Sequence, residues 1–470
     1  MIVLEKVKTP DLETNIKPVM LTDETMAMRK QAVLDKMDQR NLDTIIVWAD
    51  LEHGSNFEYL VGFLPRFEEA LLVLHKDGQA QMVLGNENLN KAKKSRIKAI
   101  AVHMPHFSLP NQPMMTDKTI DQILDECKIQ NDKNIGIVGW KNFTSKLEDN
   151  SLLFDLPYFI MQALKKVNPK AKFINATDIF IGNDGIRVQN NANEFAHYEF
   201  GAALAGNCML NAMAQLQIGK TEMEVAEKLD AYGQPHSVVT IMATGERFEK
   251  ANMYPSYKAI QKGDSLSITT GFKGGLQSRS GYAVNESQEL PENVEDYLDK
   301  VAKPYFNAVV TWLENIHIGL TGGELFKIIE KVLPKDEYGW SLNPGHLCAD
   351  EEWLSSPIYP ESKEVIKSGM LFQIDIIPSV SGYGGISCES GVLLADEELI
   401  DKIRTEYPEL YERIINRQKY MRDELGINIS NQVIPTSIAT AFCKPFMLNK
   451  EKALKQMKVI NENGERYDKN

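Results

Sequence analysis

Candidate residues for chemistry stand out in the second half of the chain, where an acid and a histidine interrupt apolar sequence. Asp375 lies within the apolar run Leu371–Pro378. A lone carboxylate in such a strand is costly unless it is paired, so a position in a pocket is favoured. His346 ends a Pro-Gly-His sequence, which favours a pocket over an ordinary core histidine. Imidazole and carboxyl groups at one site can transfer protons or bind a cation.

The segment Gly263–Val284 has the pattern of a β-hairpin that holds a metal site. Its first strand, Ser265–Thr270, alternates small polar and apolar residues after a Gly-Asp turn. Its second strand, Gln277–Val284, follows a glycine-rich corner at Gly274 and Gly275. Neither strand contains an aspartate or a glutamate. The hairpin therefore lacks the carboxylates that a metal site needs.

Three neighbouring features have an ordinary interpretation beside a functional one. His236 follows a Gln-Pro pair and could supply a catalytic base, but we favour a loop histidine. The acidic run 350–352 predicts a solvated turn, although it could attract a cationic ligand to the mouth of a pocket. Trp353, directly after this run, fits a core position and a ligand platform equally well.

The first 183 residues alternate the patterns of helices and strands. An apolar stripe predicts a helix over Leu21–Arg40. Four short apolar runs predict strands: Thr44–Ala49, Ala70–Leu74, Ala80–Leu84 and Asn134–Val138. This alternation indicates an α/β layer domain. A polar, glycine- and asparagine-rich segment at 182–193 then predicts a link to a second domain.

The second domain contains an internal repeat. A glycine followed by a Thr-x-x-Glu capping box occurs at Thr221 and again at Thr321, an offset of 321 − 221 = 100 residues. Each box follows a long amphipathic helical pattern, the first over 195–216 and the second over 294–316. The sequence pattern that begins the hairpin at Gly263 recurs at Gly369. Two copies of helix–helix–hairpin predict a pseudo-twofold arrangement with a site where the sheets meet.

The whole-chain composition predicts a globular chain with two or three domains. The chain has 470 residues, and domains usually contain about 100–200 residues each. A formal net charge of −13 argues against nucleic acid or an anionic membrane as partner, since both need a basic surface. No apolar run approaches the ~18 residues of a membrane span, and the N-terminus lacks a signal-peptide pattern. The five cysteines form no CxxC motif, which predicts reduced thiols and a cytoplasmic location.

Several of these motifs resemble a known superfamily. They are Tyr59-Leu60-Val61-Gly62-Phe63, Ile186-Arg187, Pro344-Gly345-His346, the run from Gly369 to Asp375, and the run from Gly384 to Glu389. The chain resembles the pita-bread superfamily of methionine aminopeptidase, aminopeptidase P, prolidase and creatinase. The resemblance implies an α/β creatinase-like N-terminal domain at 1–183, an α+β pita-bread domain at 184–400, and a C-terminal helical extension at 401–470. The two-domain relatives are commonly dimers or larger, so we expect a homo-oligomer, most simply a dimer.

The resemblance also implies a set of site residues. The peptidases hold two divalent metals with two aspartates, one histidine and two further acids, and His346, Asp375 and Glu389 match the last three. The first aspartate falls on Thr269. The second falls on Arg279, or on Ser278 or Ser280 after a slip of one residue. Two supporting histidines of the peptidases fall on Asn252 and Trp353, so neither is present.

The loss of two carboxylates favours a site without metal. Asp375 and Glu389 supply two negative charges, which would leave two divalent ions badly undercompensated and repelled by Arg279. We therefore predict that the guanidinium of Arg279 replaces the metals and pairs with both carboxylates. His346 would then face a ligand, with Thr269, Asn252 and Trp353 also lining the ligand site.

Three functions remain open at this point. The first is a protein that has lost peptidase activity and binds a small or peptide-like ligand in the old cleft, without a cofactor. The second is a metal-free hydrolase of the creatinase type that cleaves a C–N bond, with His346 as acid and base. The third is a mononuclear metalloenzyme, since His346, Asp375 and Glu389 suffice for one Mn, Fe or Zn ion.

Overall fold

The computed structural model describes residues 1–457, 459–460 and 466–467. They form two compact units. One unit is Leu21–Val188, and the other combines Met1–Met20 with the chain from Gln189 onward. The first twenty residues, which we predicted as part of the N-terminal domain, therefore belong to the C-terminal unit.

The unit Leu21–Val188 is built on a six-stranded mixed sheet. In spatial order its strands are Ile100–His103, Ala80–Leu84, Ala70–His75, Thr44–Ala49, Asn134–Val138 and Lys172–Asn175. All six residues of the central strand Thr44–Ala49 are buried, which explains its continuous apolar sequence. This strand runs antiparallel to Ala70–His75 and parallel to Asn134–Val138. The four predicted strands are confirmed, while the two edge strands are each only four residues long, which is too short for a clear strand pattern.

Helices and short 3₁₀ turns connect the strands of this unit. The α-helices are Asp23–Gln39, Ser55–Val61, Ile120–Asp125 and Tyr158–Val167, and the 3₁₀ turns are Leu89–Lys94, Pro105–Phe107, Asn150–Leu152 and Thr177–Ile179. The predicted helix over Leu21–Arg40 is confirmed. It begins after Thr22, whose hydroxyl accepts the backbone N–H of Thr25.

The second unit contains two four-stranded sheets. The first has the order Ser387–Glu389, Gly275–Tyr282, Ser265–Phe272 and Ile241–Thr244. The second has the order His346–Leu347, Leu371–Gln373, Gly391–Leu394 and Val433–Pro435. Strand Ile2–Lys6 pairs with Lys452–Gln456 in a separate ribbon, and Val459–Ile460 pairs with Arg466–Tyr467. We call Ser265–Phe272 and Gly275–Tyr282 the site hairpin.

The helices of this unit include both members of the predicted repeat. They are Ala192–Gln215, Glu222–Ala226, Glu246–Glu249, Lys303–Asn315, Gly322–Val332, Lys335–Tyr338, Glu397–Glu406 and Pro408–Asp423, with 3₁₀ turns at Ser287–Glu289 and Glu292–Val294. Both capping boxes are present. The hydroxyl of Thr221 accepts the N–H of Glu224, whose carboxylate accepts the N–H of Thr221, and Thr321 and Glu324 do the same.

Two predicted helical segments differ from the structure. The helix predicted over 294–316 opens with a π-helical turn at Leu298–Ala302 and becomes α-helical only at Lys303. Pro304 lies at this junction and has no N–H to donate, which explains the irregular turn before it. The tail at 401–470, predicted as a helical extension, is helical only as far as Asp423 among its described residues, and 458, 461–465 and 468–470 lie outside them. Within the described part of the chain, no helix is long and apolar enough to cross a membrane.

Candidate functional site

The register of the first sheet decides which side chains share a face. Ser278 lies opposite Thr269 on one side and opposite Glu389 on the other. Ser280 lies opposite Ser267 in the same way. Because side chains alternate along a strand, these five residues project from one face of the sheet. We call it the site face.

Arg279 lies between Ser278 and Ser280 and therefore projects from the opposite face. Its side chain is fully buried. Its guanidinium donates to six neutral acceptors at 2.6–3.2 Å: the carbonyls of Phe442, Ala439, Ser278 and Glu389, Gln277 Oε1 and Ser390 Oγ. The predicted pairing of Arg279 with the carboxylates of Asp375 and Glu389 is wrong. The prediction matched the second aspartate of the peptidases to Arg279. A shift of one residue along the strand moves a side chain to the opposite face of the sheet, so this match put Arg279 on the wrong face.

Hydroxyl groups occupy the positions on the site face where carboxylates were expected. Thr269 Oγ1 donates to Ser278 Oγ at 2.9 Å, and Ser280 Oγ donates to Ser267 Oγ at 3.1 Å. All four side chains are buried. Each pair thus satisfies hydrogen-bonding groups across the two strands without adding charge. This part of the sheet is neutral, whichever of Ser278 and Ser280 matches the second aspartate.

The second sheet and the edge of the first bring three titratable residues together. His346 begins the strand His346–Leu347, Asp375 follows the strand Leu371–Gln373, and Glu389 ends the strand Ser387–Glu389. His346 Nε2 is 3.8 Å from Asp375 Oδ2 and 3.8 Å from Glu389 Oε1. One nitrogen or oxygen from each residue lies within 4.8 Å of the others. We call these three residues the acid–histidine cluster.

A backbone contact fixes the tautomer of His346 in the neutral state. Its Nδ1 lies 3.1 Å from the carbonyl oxygen of Leu347. A carbonyl can only accept, so Nδ1 carries the hydrogen and donates it. In the neutral ring Nε2 then carries the lone pair, and it is this nitrogen that faces the two carboxyl groups. Histidines that bind metals commonly have this arrangement.

Burial favours the uncharged forms of all three side chains of the acid–histidine cluster. Burial, and then the charge of Glu389, raises the pKa of Asp375 to about 8. Burial, and then the charge of Glu352, raises the pKa of Glu389 to about 8. The pKa of His346 is lowered by burial. Asp375 Oδ1 and Glu389 Oε1 are sealed from solvent and have no hydrogen-bond partner among the described residues.

The residues after His346 add an aromatic ring and a third acid. The indole of Trp353 stacks on the imidazole of His346, with 4.2 Å between ring centroids and 21° between planes. Burial raises the pKa of Glu352, whose charge also acts on all three members of the cluster. Residues 350–352 form a bend, as predicted, but all three are half-buried rather than solvated, and Asp350 contacts Tyr198 and Lys273. The position of Glu352 beside Trp353 was the signal that sequence reasoning missed.

Two other predicted residues lie apart from the cluster. Asn252 is exposed, and its backbone N–H donates to the carbonyl of Arg247. No contact between its side chain and the cluster is found within the described residues. His236 stacks on Phe272 at 4.9 Å and lies against Asp230, which agrees with a structural role for this histidine.

The donor set fits one divalent ion and does not fit two. His346 Nε2, Asp375 and Glu389 would hold one ion, and their sealed oxygens are the acceptors that such an ion needs. An ion held there would supply Lewis-acid polarisation of a bound carbonyl. A second ion would need carboxylates at Thr269 and at Ser278 or Ser280. Those positions offer only hydroxyls that are bonded to other hydroxyls.

Comparison with known proteins gives two family matches. Residues 196–396 match the model of metallopeptidase family M24, and residues 29–182 match that of the creatinase/prolidase N-terminal domain. The two matched segments correspond to the two predicted domain types. No match was found among curated proteins.

Solved structures of the same fold include several proline-specific peptidases. A Xaa-Pro dipeptidase from Bacillus anthracis has a TM-score of 0.59 at 18% identity, over 79% of this chain and 96% of that one. A prolidase from Pyrococcus horikoshii OT3 has a TM-score of 0.59 at 20% identity, over 78% and 95%. A prolidase from Thermococcus sibiricus has a TM-score of 0.61 at 18% identity, over 79% and 95%. The predicted two-domain fold is confirmed.

Proposed function

Because this chain is a two-domain member of metallopeptidase family M24, we propose that its site descends from a peptidase site and has lost the two-metal centre. In this proposal the protein is Xaa-Pro peptidase-like in fold. It binds a small or peptide-like ligand at the acid–histidine cluster without hydrolysing a Xaa-Pro bond. It acts in the cytoplasm as a homodimer.

One observation carries the proposal. Thr269 and Ser278, on the site face beside Glu389, are hydroxyls bonded to each other at 2.9 Å. Two divalent ions bring four positive charges, and the bridging carboxylates must offset them. Of the four carboxylates that the peptidases use, Asp375 and Glu389 remain at the matching positions, so about half of that charge would be uncompensated.

Two features of the cluster support ligand binding. The sealed oxygens of Asp375 and Glu389 lack partners among the described residues, and buried polar groups without partners are rare unless a ligand or water completes them. Trp353 adds an aromatic surface that is only partly buried. A peptide-like ligand offers donors to the carboxyl groups and apolar surface to the indole.

A hydrolysis assay tests the loss of peptidase activity. The full-length protein, loaded with manganese, is incubated with the dipeptide Ala-Pro and the release of proline is measured. We expect no release above a protein-free control. Release that requires manganese would restore the peptidase function, and release that persists in a chelator would favour the metal-free hydrolase.

Thermal unfolding in the presence of Ala-Pro tests ligand binding separately. The midpoint should rise with dipeptide concentration, since a ligand that binds only the folded state stabilises it. The variant Trp353→Ala should lose at least half of that rise, while Tyr254→Ala, which changes an exposed ring, should keep it. An unchanged midpoint in the wild type up to millimolar dipeptide would reject a peptide-like ligand.

A second candidate is a mononuclear metal protein. It is favoured by the orientation of His346, whose lone-pair nitrogen faces both carboxyl groups at 3.8 Å. An ion at this position must displace protons from carboxyl groups whose pKa values are raised to about 8. Manganese affinity, measured by calorimetry, should therefore increase from pH 6.5 to pH 8.5. An affinity that is absent or flat over this range would argue against the mononuclear site.

A further inference from the structure

A buried glutamine lies in the second sheet, beside the acid–histidine cluster. Gln373 ends the strand Leu371–Gln373, which is otherwise apolar, and it is fully buried. It pairs with His346 in the strand on one side and with Gly391 in the strand on the other. Because directly opposed residues of neighbouring strands share a face of the sheet, the side chain of Gln373 lies on the same face as the imidazole of His346.

The amide nitrogen of Gln373 has partners, whereas its amide oxygen has none. Its Nε2 donates to the carbonyl of Leu276, in the site hairpin, at 3.0 Å. A carbonyl can only accept, so this contact fixes the orientation of the amide. Gln373 also forms a side-chain hydrogen bond with the carboxyl group of Glu389, for which the second hydrogen of Nε2 remains. The oxygen Oε1 is sealed from solvent and has no partner among the described residues.

The strand opposite Gln373 leaves room for this amide. A Cβ atom on Gly391 would lie 2.8 Å from Gln373 Oε1, so the lack of a side chain there creates the space. Burying an amide oxygen without a partner costs free energy, whereas a methionine of similar length would fill the same space without that cost. A core residue that lowers stability beside a candidate ligand site is expected to serve that site.

We propose that Gln373 is a positioning residue of the ligand site. Its amide ties the carboxyl group of Glu389 to the site hairpin through the carbonyl of Leu276. Glu389 Oε1 is thereby kept 3.8 Å from His346 Nε2, where it can accept a hydrogen bond from a ligand. This inference rests on the proposed ligand-binding function, and it adds to that site a residue that acts through Glu389.

Crystal structures of the full-length protein and of the variant Gln373→Met test the positioning directly, without a ligand. Methionine keeps the chain length and the apolar packing but has no amide hydrogens. We expect the strand Leu371–Gln373 to be unchanged and the carboxyl group of Glu389 to leave its position 3.8 Å from His346 Nε2. A carboxyl group that stays in place in the variant would overturn the proposal.

Thermal unfolding in the presence of Ala-Pro gives a second measurement. Gln373→Met should need roughly tenfold more dipeptide than the wild type for the same rise in midpoint, because a hydrogen bond that orients a charged group is lost. Gln373→Glu has the same size and also lacks the amide hydrogens, so it should weaken binding as well and replaces the first variant if that one does not fold. An unchanged response in the folded variants would contradict the positioning role.

Gln418→Met is the matched control. Gln418 is 5% exposed, and its amide donates to the carbonyl of Val433 at 2.9 Å. This variant removes a buried amide outside the cluster, so the dipeptide response and the position of Glu389 should both be kept. Equal losses in the two methionine variants would overturn the proposal by showing a general effect of destabilisation. A wild type that does not respond to Ala-Pro would reject the dipeptide as ligand, whereas the crystal structures would still decide whether Gln373 positions Glu389.

Discussion

At the residue scale, burial favours the uncharged forms of the side chains in the acid–histidine cluster. His346 Nε2 lies 3.8 Å from each of the two carboxyl groups, and one oxygen of each acid is sealed without a partner among the described residues. Such buried, unpartnered titratable groups destabilise the folded protein, and groups of this kind are common in binding sites. The first two predictions follow from these side chains.

The first prediction concerns stability and pH. The pKa of Asp375 is raised to about 8 in the folded protein, whereas an unfolded chain has about 3.9. Between these values the unfolded state releases a proton that the folded state keeps, so stability falls as pH rises from about 4 to about 8. Asp375→Asn removes this cost and should raise the unfolding midpoint at pH 8 in chelator, by about 2–4 °C for each kcal/mol gained.

The control for this prediction is an exposed acid. Asp299 is 75% exposed and pairs with Lys303 in the next helical turn. Asp299→Asn should change stability by less than about 0.5 kcal/mol at either pH. If Asp375→Asn instead lowered the midpoint at pH 8, the carboxyl group would have to be ionised and paired in the folded protein.

The second prediction concerns the missing second metal. Thr269 and Ser278 lie in one cross-strand row with Glu389, and Ser280 lies two residues further along the same face. Thr269→Asp combined with Ser278→Asp or Ser280→Asp should therefore create a second manganese site, measured by calorimetry. The isosteric neutral variant Thr269→Asn, Ser278→Asn should not. Thr269→Asp with Arg279→Asp should also fail, because Arg279 projects from the opposite face.

At the scale of elements, successive side chains of a strand point to opposite faces of the sheet, and this alternation decides which side chains face the acid–histidine cluster. The sequence identified the site hairpin and the positions of its two strands to within two residues. It did not determine which of three consecutive residues, Ser278, Arg279 or Ser280, faces the cluster, because a shift of one residue exchanges the two faces. The strand pairing places Ser278 and Ser280 on the site face and Arg279 on the opposite one.

The N-terminal segment Met1–Met20 is a second case in which local sequence was insufficient. It carries no strong periodicity, yet Ile2–Lys6 pairs with Lys452–Gln456, more than 440 residues away. Glu13 joins it to the helix Pro408–Asp423 through the fully buried Arg417. Contacts of such long sequence separation depend on the complete fold and leave no local pattern.

The third prediction tests this segment. Glu13 accepts two hydrogen bonds from Arg417 at 2.6 and 2.9 Å, and its side chain is 7% exposed. Glu13→Ala would leave Arg417 buried with Glu199 as its remaining carboxylate partner among the described residues, which should cost about 3 kcal/mol in urea unfolding. Lys17→Ala removes only an exposed pair with Glu409 and should cost less than about 1 kcal/mol. Equal effects of the two variants would contradict a structural role for the Glu13–Arg417 pair.

At the scale of the whole molecule, the fold was predictable and the function was less so. The capping boxes at Thr221 and Thr321, and the motifs around His346 and Glu389, are local patterns that can be read from this sequence alone. The fold they predict is shared with a dipeptidase and a prolidase of 18–20% identity. Function depends on four or five side chains. Two of these, Thr269 and Ser278, belong to residue types that fit any buried strand.

The fourth prediction concerns assembly. By resemblance to the two-domain relatives we expect a homodimer. Light scattering of the purified protein should give twice the chain mass across a tenfold range of concentration. A mass equal to one chain throughout that range would reject the dimer.

The central claim is that this M24 family member does not hold a two-metal centre. The most direct test is elemental analysis of the full-length protein after incubation with excess manganese at pH 8 and desalting. We predict at most one ion per chain: none for the metal-free ligand site, or one at His346, Asp375 and Glu389. Two ions per chain would contradict the claim, and would mean that the hydroxyl pairs of the site face do not exclude the second metal.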